Sequence, residues 1–191
     1  TPDYFRYWSD VADVLFCGAY PELYGIERVS IVTRIKNAVA GAAGTNTKVI
    51  ATPQFMDAQT YMESKGLTSL PPGWYYGVPT AQHMRFDAYI SLMLGAQGID
   101  WYSTEWGFLN PELVSNLQSV LSELNQIMPI LTSPEPGIQG ISFNILSGPT
   151  LSDWGKGEQH PSIMLTTRQY QGHNYIFVAS LVEDPVTVRF Y

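Results

Sequence analysis

Residues 79–105 read Pro79-Thr80-Ala81-Gln82-His83-Met84-Arg85-Phe86-Asp87-Ala88-Tyr89-Ile90-Ser91-Leu92-Met93-Leu94-Gly95-Ala96-Gln97-Gly98-Ile99-Asp100-Trp101-Tyr102-Ser103-Thr104-Glu105. Thr80, directly after Pro79, is placed as a helix N-cap, because its hydroxyl can accept a free amide of the first turn. Met84, Ala88, Ile90, Leu92, Met93 and Leu94 then supply the apolar positions of a helix that Gly95 stops. The stretch from Gly98 to Glu105 that follows is short and strand-like. Alternation puts Asp100 and Tyr102 on one face and Ile99 and Trp101 on the other. Ile99 and Trp101 suit a helix-covered side, which sends Asp100 to the opposite, interior side, against a neighbouring Arg or Tyr.

The same grammar repeats upstream. Ala12 to Pro21 is a near-continuous apolar run closed by Pro, the pattern of a parallel strand buried on both faces. Ile26, Val29, Val32, Ile35 and Val39 recur at helical spacing, and Gly41 and Gly44 end that helix. Lys48 to Phe55 reads as a second strand. Met56 to Pro79 follows as a long loop containing Gly66, Pro71, Pro72, Gly73 and three consecutive aromatics, Trp74, Tyr75 and Tyr76; loops of this length in compact domains tend to be functional. A last helix opens at Asn110-Pro111, with Asn as cap and Pro in the first turn, and carries Leu113, Leu117, Val120, Leu121, Leu124 and Met128 on one face. Pro134 and Pro136 end this half.

Three strand–helix units in succession imply parallel strands joined by right-handed crossovers. Beyond residue 137 the pattern changes to short strands at 141–145, 162–168, 174–179 and 186–190, separated by Gly, Pro and Asp turns, which reads as an antiparallel sheet. The expected organisation is therefore an α/β part over 1–136 and a β part over 137–191. The opening Thr1-Pro2-Asp3-Tyr4 lacks an initiator Met, and the last strand runs to Tyr191 with no turn after it, so truncation at both ends is expected.

Charge and composition narrow the function classes. Of the 191 residues, 10 are Lys or Arg and 17 Asp or Glu, a net charge of -7 that repels phosphate and argues against nucleic-acid binding. No apolar stretch approaches the roughly 20 residues that a bilayer crossing needs. The lone Cys17 sits in an apolar run, without an activating neighbour. His83, His160 and His173 have neither the close pairing nor the helical spacing of a zinc site, so no metal is expected. There is no phosphate-cradling glycine motif and no Gly-x-Ser-x-Gly elbow, and no cofactor is expected.

The words Pro79-Thr80-Ala81-Gln82-His83-Met84-Arg85, Ala88-Tyr89-Ile90-Ser91-Leu92, Gly95-Ala96-Gln97-Gly98-Ile99 and Tyr102-Ser103 together resemble the seventh helix and eighth strand of bacterial-type glycoside hydrolase (β/α)8 barrels. Gly18-Ala19-Tyr20-Pro21 and Ile50-Ala51-Thr52-Pro53-Gln54-Phe55 take the places of two preceding strand ends. Tyr175 to Ala179 and Pro185 to Val188 take places in the β-sandwich that commonly follows such barrels. The resemblance implies a partial TIM barrel, its last three strand–helix units, followed by an antiparallel β-sandwich segment. A full barrel has about 250 residues, so the remaining strands would come from upstream sequence or from another chain. It further implies a carbohydrate partner, an oligo- or polysaccharide, and an extracellular or cell-envelope location.

In such barrels chemistry sits at the C-terminal strand ends. Glycoside hydrolysis needs two carboxyl groups, about 5–5.5 Å apart for retention or about 6.5–9.5 Å for inversion. Glu105 and Asp57 are the catalytic candidates, with a surface or helix-entry role for Glu105 and a backbone-binding role for Asp57 as the alternatives. Tyr20, Gln54, Trp74, Tyr76, Tyr102 and Trp106 are candidate substrate ligands, because sugar rings stack on aromatic faces while their hydroxyls bond to amides; each aromatic has packing as its alternative. Gln54 stands where the largest hydrolase clan has its nucleophilic Glu, and Ala19 where an Asp is expected. A non-catalytic carbohydrate-binding or structural protein on the same scaffold is thus the rival reading, and an unrelated α/β domain complete at this length is a third. Arg85 is read as an ion pair tying its helix to the barrel wall, and His83 as part of a cap.

Overall fold

The computed structural model describes residues 1–133, 137–153 and 159–191. Its elements run α1 (Pro2–Ser9), β1 (Val14–Cys17), α2 (Pro21–Tyr24), α3 (Ser30–Ala42), β2 (Lys48–Ala51), α4 (Ala58–Lys65), α5 (Ala81–Met93), β3 (Gly98–Ile99), α6 (Thr104–Gly107), α7 (Pro111–Leu131), β4 (Phe143–Ser147), β5 (Leu151–Asp153), β6 (Gln159–Pro161), β7 (Ile163–Tyr170), β8 (His173–Ser180) and β9 (Thr187–Phe190). The chain is mixed α/β, and no closed barrel forms among the described residues. None of the helices over the described residues is long and apolar enough to cross a membrane.

The chain divides into two compact units, Thr1–Gln126 and Ile127–Tyr191, so the division falls inside α7 rather than at residue 136. The end of the helix belongs with the strands: Arg168 donates from Nε to the Leu131 carbonyl at 3.0 Å, and Ser133 donates from Oγ to the Gln169 carbonyl at 2.7 Å. Pro129 lies within α7. Pro134 and Pro136, expected to end the first half of the chain, lie outside the described residues.

In the first unit β1, β2 and β3 form one parallel sheet in sequence order, with Val14 to Cys17 opposite Lys48 to Ala51 and Ile50 and Ala51 opposite Gly98 and Ile99. Backbone pairing of β2 with the chain after β3 continues beyond the strands: Asp100 donates to Ala51, Tyr102 to Pro53 and Phe55 to Tyr102, at 2.8–3.0 Å. A sheet wound in sequence order with right-handed crossovers carries its helices on one face. Accordingly α3 packs on β1 and β2, α5 packs on β3, and α3 lies against both α1 and α5. Leu15, Cys17, Val49 and Ala51 are buried under this layer.

The opposite face is bare. Phe16 is 62% exposed, Val14 and Lys48 are exposed, and Ile50 is half-buried. The expectation that the first strand is buried on both faces is therefore corrected. An apolar run records what a residue could bury, and here helices cover one side only. Alternation in the third strand is as read, with Trp101 buried, but Asp100, expected on an interior side, is exposed, because nothing among the described residues covers that face. Four helices were not anticipated: α1, the short α2 and α6, and α4, which lies inside the stretch read as a long loop.

The second unit holds three antiparallel pairs, β4 with β9, β5 with β6, and the long hairpin of β7 with β8. The strands expected at 141–145, 162–168, 174–179 and 186–190 correspond to β4, β7, β8 and β9, and the β5–β6 pair was not foreseen. Antiparallel pairing is as expected, and the pairs do not merge into one sheet among the described residues.

Candidate functional site

The loops after β1, β2 and β3 meet at the C-terminal end of the sheet. Tyr20 caps α2 and stacks on Tyr102, with ring centroids 4.5 Å apart and planes 24° from parallel. Tyr24, one turn on, lies 6.1 Å from Tyr20. Tyr102 is 44% exposed and pairs with Gln54 through an isolated parallel bridge. The stacked pair thus sits at the strand ends with Tyr102 exposed and Tyr20 half-buried. Burial and the neighbouring phenols raise the Tyr20 pKa above its ordinary value, which keeps its hydroxyl a neutral donor.

Gln54 is only 1% exposed, and the backbone uses its amide at both ends. Oε1 accepts from the Leu23 amide at 3.1 Å, and Nε2 donates to the Met56 carbonyl at 3.0 Å. It is a cross-tie between the loops after β1 and β2. Leu23, Met56 and Ala58 form a small core beneath them, against which Tyr20, Leu70, Trp74 and Trp106 pack.

Asp57 is likewise engaged. It is the N-cap of α4, with Oδ1 accepting from the Gln59 amide at 2.9 Å, and Oδ2 accepting from Thr60 Oγ1 at 2.7 Å and from Asn110 Nδ2 at 2.9 Å. Asn110 in turn caps α7 by accepting from the Glu112 and Leu113 amides, as its sequence position suggested. One carboxylate therefore joins two helix starts. Asp57→Ala is expected to lower stability by about 2 kcal/mol, a lost cap plus an abandoned amide donor. Asp57→Asn, which still caps, should lose less, as read from urea unfolding midpoints.

Glu105 is exposed in the first turn of α6, after Ser103, whose φ of 63° and ψ of 45° put a non-glycine residue in the left-handed region. That turn swings the chain from β3 to α6 and carries Glu105 and Trp106 to the same end of the sheet. Trp106 is half-buried, edge-on to Tyr61 at 4.6 Å, with Lys65 Nζ over its ring at 5.7 Å, and Tyr61 also meets Trp74 at 5.1 Å. These indoles anchor the long segment. Tyr76, by contrast, is 63% exposed, with its hydroxyl on Met62 Sδ at 3.4 Å.

Four side chains beside this end form a cluster that the sequence reading did not bring together, His83 having been read only as part of a cap. Glu22 of α2 contacts the Arg28 guanidinium, Arg28 donates to Asp87 Oδ2 at 2.8 Å, and His83 Nδ1 lies 2.8 Å from Glu22 Oε1. Glu22 and Asp87 side chains are buried, and burial, opposed by Arg28, pushes Asp87 up to about 7. The signal was Asp87 itself, a charge flanked by Met84, Ala88 and Ser91 on the buried stripe of α5. Arg85 does make an ion pair, at 2.7 Å, but its partner is Glu123 of α7 rather than the sheet; Tyr89 also donates to Glu123, and together they hold its carboxyl below its ordinary value. Burial pushes the Cys17 thiol up to about 11, which leaves it a protonated packing residue. Among the described residues no group of three or more His, Cys, Asp or Glu is placed to hold a metal.

No family model matches the chain, and no curated protein and no solved structure matches it.

Proposed function

We propose that the first unit is a segment of a glycoside hydrolase-like (β/α)8 barrel whose strand-end rim binds an oligo- or polysaccharide. The observation that carries the reading is the Tyr20–Tyr102 stack, set where the C-terminal strand ends of a sequentially wound sheet meet its helix-free face. A sugar ring needs a flat apolar platform with hydroxyl partners around it. Tyr102, Tyr20 and exposed Tyr76 supply platforms, and Asp100 and Glu105, both exposed, supply hydroxyl acceptors. The bare face and open edges of the sheet suit further parallel strands from elsewhere in the polypeptide or from another chain. The antiparallel pairs of the second unit suit part of a β-sandwich. An extracellular or envelope location follows from the same resemblance.

A specific observation favours the rival reading of a binding rather than a hydrolytic protein. Asp57 and Gln54 are both consumed by structural bonds, so Glu105 is the one carboxylate of the pair still open at the rim. Hydrolysis then depends on a second acid carried on other strands of the barrel. Titration with soluble oligosaccharides, followed by tyrosine and tryptophan fluorescence, tests the reading. Tyr102→Ala is expected to weaken binding about tenfold, the worth of one aromatic stack, and to lower the unfolding midpoint only by the loss of its own stack on Tyr20. Saturable binding that survives both Tyr102→Ala and Tyr20→Ala removes the rim as the site. Glu105→Gln separates the two readings: it abolishes turnover in a hydrolase and leaves binding intact in either case.

A further inference from the structure

His83 in the first turn of α5 presents one ring nitrogen to two partners of opposite polarity. The Thr80 amide points at Nδ1 from 3.5 Å, closing a capping box whose other half is the His83 amide donating to Thr80 Oγ1 at 3.2 Å. Glu22 Oε1 stands 2.8 Å from the same Nδ1. An amide needs a lone pair there, and a carboxylate needs a hydrogen. One nitrogen supplies one or the other, so the proton on the ring decides which contact is a bond.

The charged groups around this choice come from three places. Glu22 is carried by α2 immediately after β1, Arg28 by the segment leading to α3, and Asp87 by α5 one turn beyond His83. Arg28 spans both carboxylates, so the buried set holds two acids against one permanent cation. A second positive charge, on the imidazole, balances it. We propose that His83 is a proton switch: taking up a proton from solvent, its ring gives up the Thr80 amide, one half of the α5 capping box, for a bond to Glu22 and so draws the Pro21–Tyr24 turn onto α5. Deprotonation returns Nδ1 to the Thr80 amide, tightening the helix start and releasing the turn. The turn opens directly after Tyr20 of the strand-end stack, and the switch holds whether or not that stack binds sugar.

The test is an NMR titration of the full chain, following the His83 ring nitrogens and the Thr80 amide through about two pH units on either side of the ordinary imidazole value of about 6.5. The neutral ring should carry its hydrogen on Nε2. On acidification the Thr80 amide proton should move upfield and lose exchange protection at the midpoint of the ring itself. A ring that keeps its hydrogen on Nδ1 throughout, or a Thr80 amide indifferent to the ring, overturns the proposal. Asp87 titrates in the same range, so Asp87→Asn must retain the coupled transition; its loss there would make Asp87 the sensor and refute the switch. His83→Gln can still cap from this position and cannot titrate. The Thr80 transition should vanish in it, and persistence would again overturn the proposal.

Discussion

Arg28→Met is expected to cost about 3–5 kcal/mol of stability near pH 8, the cost of leaving buried carboxylates without their cation. Arg28 is the shared cation of Glu22 and Asp87, whose side chains are 8% and 2% exposed. Methionine fills a similar volume and stays uncharged, so the variant isolates the charge. Without it two carboxylates face each other in a site that already raises Asp87 to about 7 with the guanidinium present. Both acids would then fold protonated, with folded-state pKa values above the unfolded values of about 4. Such groups lend stability below the unfolded value and withdraw it as pH rises through the folded one. The deficit relative to the parent should therefore be small near pH 4 and grow toward pH 8. Urea midpoints at the two ends decide it. A deficit that is flat with pH would mean that the carboxylates escape to solvent when Arg28 is removed, and that the cluster is a surface feature.

How much of this was legible beforehand depended on the range of the interaction. Thr80, Asn110 and Gly95 act within one helical turn, so the caps and bounds of α5 and α7 followed from local chemistry. The three parallel strands followed from repeated strand–helix grammar, and the antiparallel pairing of β7 and β8 from short strands separated by turn residues. The short helix α4 was hidden because its buried side is only Ala58 and Met62, too little apolar spacing to stand out, and its start is set by Asp57, which read equally well as a loop carboxylate. Phe16 shows a different limit. Its sequence context is that of a core residue, yet whether anything covers it is a property of the neighbouring layer.

The site residues divide along the same line. Tyr20, Tyr102 and Glu105 were singled out because strand ends are where a parallel sheet exposes side chains, and that much is positional. The stacking of Tyr20 on Tyr102 depends on the register of β1, β2 and β3, which carries Tyr20 over the bridge to Tyr102. The backbone-binding alternative read for Asp57 is what its bond from the Gln59 amide shows, whereas its bond from Asn110 and the tie of Gln54 to Leu23 were not foreseen. The partners in those two bonds, Asn110 and Leu23, lie 53 and 31 residues away. The Arg28–Asp87 bond spans 59 residues. No local pattern encodes such pairs. What sequence does offer is the anomaly, a charge on a buried helical stripe, and Asp87 qualifies.

Gln54→Glu carries the second large effect and bears directly on the hydrolase reading, since an acid at this strand end is what a retaining nucleophile would require. The native amide accepts from Leu23 with one atom and donates to Met56 with the other, in a site 1% exposed. A carboxylate keeps the first bond and turns the second into an oxygen facing a carbonyl oxygen. Folding then demands either a buried anion with a repulsive partner or a proton held on Glu well above its unfolded value of about 4.3. The protonated acid mimics the amide, donating to Met56, so the variant should approach the parent near pH 4. As pH rises through the raised folded pKa that stability is withdrawn, and a loss of about 3 kcal/mol is expected by pH 8. Unfolding midpoints across that range measure it. If instead Gln54→Glu were as stable as the parent at pH 8, its carboxylate must have turned outward to the rim beside Tyr102. The strand end would then be able to present an acid to a sugar, and the position would be catalytic ground that this chain has filled with a structural amide.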